Sequence, residues 1–186
     1  MLWIAAEVHC IKEGKPTRSR KRVVLCASGF SPAILKLSIN FIHRVNKLAG
    51  LRDQYDYIII DTNPSMGVVN QNAFMAADEI ILVSDVSKKA IQGAQLFSYL
   101  WGEVCENMDI ADKTSALVLN NCDKRIGLTK NIMEYYQEDE DFGKMVLENM
   151  IPARVDVKNT EVRSLPINFT APESDSCEAF RAVVAE

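Results

Sequence analysis

The 186-residue sequence has only two histidines, and its five cysteines are not arranged in close pairs. The cysteines are odd in number and widely spaced, and no C-x-x-C occurs, so we expect reduced, mostly buried thiols. A disulfide framework, a zinc site and an iron–sulfur site therefore have little support. His9 and His43 lie in no recognisable nucleophile motif, which argues against a Ser/His/Asp or Cys/His catalyst.

Long apolar runs are also missing. No stretch approaches the roughly 18 uninterrupted apolar residues that a bilayer-spanning helix requires, and the start of the chain has no basic leader of the secretory type. We therefore expect a soluble, cytoplasmic protein. With 48% apolar and 25% charged residues, the composition is that of an ordinary globular chain, long enough for a single domain over residues 1–186.

The formal net charge of −4 conceals one basic segment. Residues 12–22 carry six cations and a single acid, Glu13; the cations are Lys12, Lys15, Arg18, Arg20, Lys21 and Arg22. Such a segment could hold phosphate or DNA. A solvated loop before a strand is the favoured alternative, because no aromatic residues are interleaved for base stacking. The acidic run at residues 138–141 predicts a solvated turn after a helix.

Short apolar runs alternate with stretches of helical spacing. The predicted strands cover residues 22–27, 57–60, 79–84, 116–120 and 146–151, and the predicted helices cover residues 33–48, 69–76, 90–107, 129–137 and 176–185. Strands that alternate with helices pair in parallel through right-handed crossovers. The sequence therefore predicts an α/β fold with three layers and a mostly parallel, doubly wound sheet, in which function gathers at the carboxyl ends of the strands.

The helix predicted over residues 90–107 has an apolar stripe at three- and four-residue steps. The stripe consists of Ile91, Ala94, Gln95, Leu96, Tyr99, Leu100 and Val104. We expect this stripe to face the core.

An aspartate, Asp61, follows an apolar strand directly in the segment Y-D-Y-I-I-I-D-T-N-P-S-M-G at residues 55–67. An acid held at the end of a strand can orient a metal-bound water beside a nucleotide phosphate, as a Walker B aspartate does. It can also serve only as a cap for the next helix, and the residues alone leave that alternative open.

This segment resembles the second switch of the ParA/Soj/MinD family of deviant-Walker partition ATPases, which reads approximately Y-D-x-I-I-I-D-x-P-P-S-x-G. Residues 72–84 (NAFMAADEIILVS) and 116–129 (ALVLNNCDKRIGLT) are similar to later family segments, the second including its T-x-x-D-x-R turn. Residues 151–155 match its I-P-x-x-V, and residues 164–172 and 177–181 look like its pre-terminal loop and closing helix. The resemblance covers about residues 22–185, the later two-thirds of the family, and implies a P-loop NTPase-like fold.

The resemblance implies ATP and Mg²⁺ as cofactors and assigns roles around the second switch. Asp61 is implied as the catalytic Walker B acid, which holds Mg²⁺ through water. Ser65 and Gly67 are implied to belong to the loop that senses the γ-phosphate.

Five further residues match the later family segments. Asn120 and Asp123 are implied to approach the adenine, and the main chain of Pro152 to border it. Arg125 and Arg154 lie in regions that the resemblance associates with non-specific DNA contact. From the residues alone, Asn120 and Asp123 could equally be turn formers, and the two arginines could be ordinary surface cations.

The family's opening K-G-G-x-G-K-[ST] loop has no counterpart in this sequence. The eight glycines are never adjacent and never one residue apart, the first switch (D-x-D-P-Q) is absent, and Asn63 stands where the family normally has the first of two prolines. The chain resembles a family member whose first third, with the phosphate-loop strand beside the Walker B strand, is gone. Closure of the flanking strands, substitution by residues 2–10, supply by another chain, or a longer product could each resolve this gap; the longer product is favoured.

We therefore expect a portion of a ParA-type partition ATPase that is inactive by itself. The partners implied are a second copy or a full-length ParA-like protein, non-specific DNA and a ParB-like adaptor. A non-catalytic regulator that binds a complete ParA-like protein or DNA is the alternative. A metal-cluster carrier is opposed by the absence of C-x-x-C, and membrane positioning by the short C-terminal helix without a basic amphipathic tail.

Overall fold

A computed structural model of the chain describes residues 3–9, 23–27, 57–163 and 165–186. In chain order, the elements within these ranges are β1 Trp3–His9, β2 Val23–Ala27, β3 Tyr57–Thr62, α1 Val68–Ala76, β4 Glu79–Ser84, α2 Lys88–Met108, β5 Thr114–Leu119, α3 Gly127–Glu138, α4 Val155–Arg163, α5 Ile167–Thr170 and α6 Asp175–Ala185. The α/β class predicted from the sequence is confirmed. The helix predicted over residues 33–48, His43 and the six cations of residues 12–22 lie outside the described residues.

The strands form one sheet in the order β2–β3–β1–β4–β5. β2 and β3 run parallel, with Val23 opposite Tyr57 and Ala27 opposite Asp61. The Ile80 N–H donates to Lys113 O at 2.9 Å, and the Asn120 N–H donates to Ser84 O at 2.8 Å. The residue numbers of the hydrogen-bonded partners therefore increase in the same direction along β4 and β5, so these two strands are parallel as well.

β1 is the exception, since it pairs antiparallel with β3 and lies between β3 and β4. Ile4 is opposite Thr62, and His9 is opposite Tyr57. Of the arrangements expected for the gap beside β3, the structure shows substitution by the first segment of the chain, of which Trp3–His9 form β1. Because β1 runs in the opposite direction, its carboxyl end lies at the other edge of the sheet from Asp61.

The chain divides into two compact units. One contains Leu82–Gln95 and Ala116–Glu186, and the other contains Trp3–Ile81 and Leu96–Ser115. A single domain over residues 1–186 stays a prediction.

The unit that contains α1 is built around an aromatic cluster. Phe74 packs edge-to-face against Phe97 and Trp101, with ring centroids 5.5 and 5.4 Å apart. The buried indole Nε1–H of Trp101 donates to Asp112 Oδ1 at 3.0 Å. Lys113 Nζ donates to the Met75 and Ala77 carbonyls at 3.2 and 2.7 Å, which satisfies free carbonyl groups at the end of α1. These contacts hold the C-terminal half of α1 in place.

The other unit is organised around a buried tyrosine of α3. The Tyr136 hydroxyl lies 2.9 Å from Ser84 Oγ at the end of β4, and its ring packs edge-to-face on Phe142. Burial raises the pKa of the Tyr136 phenol, so the group stays neutral at physiological pH. α3 ends at Glu138, and the acidic run that follows forms a turn in which Asp139 Oδ1 accepts from two backbone N–H groups.

The buried face of α2 differs from the predicted stripe. The buried positions are Ala90, Ala94, Phe97, Trp101 and Cys105, whereas Leu96 and Tyr99 are more than half exposed. The helix buries the face that carries Phe97 and Trp101. Burying these two side chains removes more apolar area from water than burying Leu96 and Tyr99 would. Of the predicted stripe, only Ala94 is fully buried.

In the later part of the chain, one predicted strand is wrong and one helix was not predicted. Residues 146–151 do not form a strand; only single parallel bridges join Leu117 to Val146 and Cys122 to Pro152. Residues 155–163 form α4, which the apolar pattern did not indicate because its valines are largely exposed at both ends of the helix. The pre-terminal loop over residues 164–172 contains the single turn α5.

Gly143 allows a close backbone approach after α3, which gives a prediction on stability. A Cβ at this position would lie 2.6 Å from Gln137 O and 2.8 Å from Asp139 O. Gly143→Ala should therefore lower the free energy of unfolding by about 1–3 kcal/mol in urea denaturation. Gly102 of α2 is the matched control, because a Cβ there meets nothing within 4 Å, so Gly102→Ala should raise stability by about 0.5–1 kcal/mol. Equal effects at both positions would contradict the steric explanation.

Candidate functional site

Asp61 is the fifth residue of β3 and is half-buried. Ile58, Ile60 and Thr62 point to the buried face of the strand, so Asp61 lies on the other face. Its backbone is held on both sides, opposite Ala27 of β2 and Ala5 of β1. The carboxylate is thus carried by a strand whose position is set by two neighbours, at the carboxyl end of a parallel pair.

Asp61 is not the cap of α1. The N-cap residue of that helix is Gly67, with φ −66° and ψ 156°, and no side chain makes a capping hydrogen bond there. The alternative in which Asp61 only caps the next helix is therefore wrong for α1.

The loop between β3 and α1 is closed by hydrogen bonds that Ser65 makes to Asn63. The Ser65 N–H donates to Asn63 O at 2.8 Å, and the Ser65 hydroxyl donates to Asn63 Oδ1 at 3.0 Å. Asn63 takes the place of the family's first proline, and it supplies the loop with an acceptor side chain that proline lacks.

Asn70 is a residue of this site that the sequence patterns did not single out. Its Nδ2 lies 2.6 Å from Asn63 Oδ1, 2.7 Å from Asn63 O, 2.8 Å from Ser65 O and 3.2 Å from Ser65 Oγ. The side chain is 3% exposed although it stands in the first turn of a helix. A polar residue directly after two valines at the start of the helix was the available signal.

Gly67 adopts a backbone conformation open to any residue, since its φ is −66°. An added Cβ would lie 3.6 Å from Ser65 Oγ, which is ordinary van der Waals contact. Packing in this structure therefore does not require glycine at position 67. The phosphate-sensing roles of Ser65 and Gly67 stay predictions.

The remaining candidates lie in the other unit, around a turn that follows β5. Asn121 has φ 57°, a left-handed conformation that asparagine tolerates well, and Asn120 before it is half-buried. The Cys122 N–H donates to Ile151 O at 3.0 Å, and the Ala153 N–H donates to Cys122 O at 2.8 Å. These bonds bring the turn beside the segment that carries Pro152 and Arg154.

Asp123 and Arg125 form a bidentate ion pair in this turn. Arg125 Nε donates to Asp123 Oδ1 at 2.9 Å, and its NH2 group donates to Oδ2 at 2.7 Å. The hydrogen bonds from the Arg125 side chain and backbone, together with the positive charge of Arg154, lower the pKa of Asp123 to about 2. The Arg125 side chain is 84% exposed, so the cation is accessible while it is paired.

Asp123 also builds the turn itself. Its Oδ1 accepts from the Arg125 N–H at 3.0 Å, and its carbonyl accepts from the Ile126 N–H and from the Thr129 hydroxyl. The turn-forming role of Asp123 is therefore observed, whereas contact with adenine by Asn120, Asp123 and Pro152 stays a prediction.

The side chains of β3 and of the loop that follows it fit Mg-ATP only in part. A carboxylate and a hydroxyl are hard oxygen donors of the kind that Mg²⁺ takes. The phosphates, however, require a cradle of backbone amides, and the sequence has no glycine-rich loop to form one. Within the described part of the chain, no group of three or more His, Cys, Asp or Glu side chains is placed to hold a metal ion.

Comparison with known proteins gives matches over much of the chain. Residues 33–111 match the family model described as AAA domain. The chromosome partitioning protein ParA of Myxococcus xanthus is 26% identical over 178 residues, which are 92% of this chain and 61% of that protein. The chromosome-partitioning ATPase Soj of Treponema pallidum is 27% identical over 139 residues, 75% of this chain and 54% of that protein. The chain is a relative of the ParA/MinD-type partition ATPases.

Solved ParA/MinD-type structures share the fold. The MinD cell division protein of Aquifex aeolicus aligns with a TM-score of 0.65 at 16% identity, covering 89% of this chain and 85% of that one. A putative plasmid partition protein of Borrelia burgdorferi, solved with AMPPNP bound, aligns with a TM-score of 0.56 at 18% identity, covering 89% and 84%. The ParA/MinD-type relationship confirms the resemblance stated from the sequence.

Part of the candidate site lies within the segment that matches the family model. Asp61, Ser65 and Gly67 fall within residues 33–111, and Asn120, Asp123 and Pro152 lie beyond them. The chain spans only about half to three-fifths of the length of the two curated partitioning proteins named above. None of the helices in the described ranges is both long and apolar enough to cross a membrane.

Proposed function

We propose that this chain is a portion of a ParA-type partition ATPase, a cytoplasmic protein whose ATP-driven dimers bind non-specific DNA and segregate a plasmid or chromosome. The observation that carries the proposal is Asp61 at the carboxyl end of a parallel strand, followed by the Ser65–Gly67 loop and α1. The curated relatives named above act in chromosome partitioning, and a ParB-like adaptor would be the partner that couples such a protein to its cargo.

Within this function, the turn of Asp123 and Arg125 is the proposed DNA-contacting surface. Arg125 and Arg154 both act on the charge of Asp123, so they lie within electrostatic reach of one site. Two exposed cations that converge in this way suit a phosphate backbone, which binds through charge and not through base sequence.

The chain by itself should not bind Mg-ATP, because its sequence has no glycine-rich loop to form a phosphate cradle. The antiparallel direction of β1 strengthens this expectation, since a loop that follows β1 leaves the sheet at the edge opposite Asp61. Preorganised donors around the phosphates supply most of the catalysis in phosphoryl transfer, so hydrolysis should be absent too.

Isothermal titration checks this expectation. The 186-residue chain should give only dilution heats with Mg-ATP up to about 1 mM, whereas a complete ParA-type relative titrated in the same buffer should bind. Micromolar binding by the chain would contradict the prediction and would show that another segment replaces the cradle.

A non-catalytic regulator is the second candidate function, and β1 favours it. Among the strands that the structure describes, β1 occupies the place beside β3 in the sheet that runs from β2 to β5. Such a chain could pair with a complete ParA-like protein, or bind DNA, without using nucleotide. Nucleotide-independent, salt-sensitive DNA binding and capture of a complete ParA-like protein would favour this function over the first.

A further inference from the structure

The Ser65 loop is fastened to α1 through one buried amide. The Asn70 NH2 group has two hydrogens, yet four oxygen atoms of Asn63 and Ser65 lie within hydrogen-bond distance of it. Asn70 therefore contacts the residues on both sides of Pro64. Because the helix holds Asn70 rigidly, the loop is restrained whichever pair of oxygens is bonded.

The exposed residue Asn63 also restrains the loop, because it accepts hydrogen bonds from Ser65 and Asn70. Both donors of Ser65, its N–H and its hydroxyl, are used on Asn63, and the Asn63 Oδ1 atom also receives the Asn70 amide. The Ser65 hydroxyl proton is thus committed within the loop although the residue is exposed.

We infer that Asn63 and Asn70 form a latch that holds residues 63–65 closed and occupies the donors of Ser65 when no ligand is bound. A phosphate could receive a hydrogen bond from Ser65 only after the latch opens, and this consequence rests on the function proposed above. The latch itself is a property of the loop and of α1, and it does not depend on that function.

Substitutions at Asn63 test the latch with little risk to folding, because the side chain is exposed. Asn63→Ala removes Oδ1, the acceptor for both the Ser65 hydroxyl and the Asn70 amide. Asn63→Asp retains carboxylate oxygens that accept from both groups, so it is the matched control. Asn70→Ala removes the bridging amide altogether.

The measurement is NMR hydrogen exchange of the Ser65 amide in the full chain, with no nucleotide, DNA or partner present. We expect Asn63→Ala and Asn70→Ala to speed this exchange by about fivefold to tenfold, because each removes hydrogen bonds that oppose opening of the loop. Asn63→Asp should stay within about twofold of the wild type, because its acceptors are kept. Exchange at Leu82, which is fully buried in β4, reports global unfolding and should not change in the Asn63 variants.

Unchanged Ser65 exchange in Asn63→Ala, or equally fast exchange in Asn63→Asp, would overturn the latch. If Asn70→Ala fails to fold, the Asn63 pair still decides the question. Failure of the chain to bind DNA even with a complete ParA-like partner and Mg-ATP present would overturn the proposed function and leave the exchange result intact, so the two failures are distinguishable.

Discussion

Replacing Phe74 with alanine should lower the free energy of unfolding by about 3–5 kcal/mol. The ring is fully buried and makes edge-to-face contacts with Phe97 and Trp101. The variant loses the transfer free energy of the ring and leaves a cavity between two large side chains that cannot close it fully. Urea denaturation followed by tryptophan fluorescence measures the loss, since Trp101 borders the cavity.

A control on the same helix separates packing from helix propensity. Val68 is 63% exposed at the start of α1, so Val68→Ala should change stability by no more than about 0.5 kcal/mol. A loss below about 1 kcal/mol in Phe74→Ala would show that the aromatic cluster does not hold α1. Because α1 carries Asn70, Phe74→Ala should also speed exchange at Ser65, which links the core to the candidate site.

Charge reversal at Arg125 and Arg154 together should weaken non-specific DNA binding by about 50-fold or more at about 0.1 M salt, because each lost phosphate contact costs nearly tenfold there. The slope of log K against log salt should become shallower by about 2, as expected for two contacts. Fluorescence anisotropy with labelled duplexes of unrelated sequence gives both quantities. Lys89→Glu is the control, since Lys89 is an exposed cation of α2 outside the turn.

Asp123→Asn should act in the opposite direction. The carboxylate holds Arg125 through two hydrogen bonds and competes with any phosphate for it. Its removal should raise DNA affinity several-fold if Arg125 is a contact. Equal affinities for the wild type, Asp123→Asn and the double reversal would exclude this turn as the DNA surface.

The pH dependence of that comparison follows from the pKa of Asp123. The folded pKa is lowered to about 2, below the ordinary value for aspartate of about 3.9. The ion pair therefore contributes fully above about pH 4 and is lost only as the pH falls toward the folded pKa. The difference between wild type and Asp123→Asn should accordingly be constant from about pH 5 to 8.

Much of the fold could be predicted from local patterns. The run Glu79–Ser84 was predicted with the bounds that the structure has, and the helices α1, α2, α3 and α6 lie within one or two residues of the predicted ranges. These elements have strong apolar periodicity and clear breaks, which depend only on neighbouring residues. The segment at residues 146–151 is apolar enough for a strand, yet it makes only bridges, because strand formation requires a partner along its whole length.

In the candidate site, too, local patterns predicted some features and not others. The position of Asp61 at the end of a strand followed from the apolar run before it. The contact between Asn70 and the Ser65 loop did not, because it depends on how α1 returns along the loop. The pairing of Asp123 with Arg125 was likewise outside the reach of the motif, which marks both residues but does not show that they bind each other.

The sequence by itself determined the α/β alternation, the acid at the end of β3 and the absence of a glycine-rich phosphate loop, because each depends on residue types at fixed short spacing. Only the tertiary structure decided that β1 lies antiparallel between β3 and β4, that α2 buries Phe97 and Trp101, and that Asn70 fastens the Ser65 loop. A strand's direction and a helix's buried face are set by partners distant in the chain, and local composition does not encode which partner will be there.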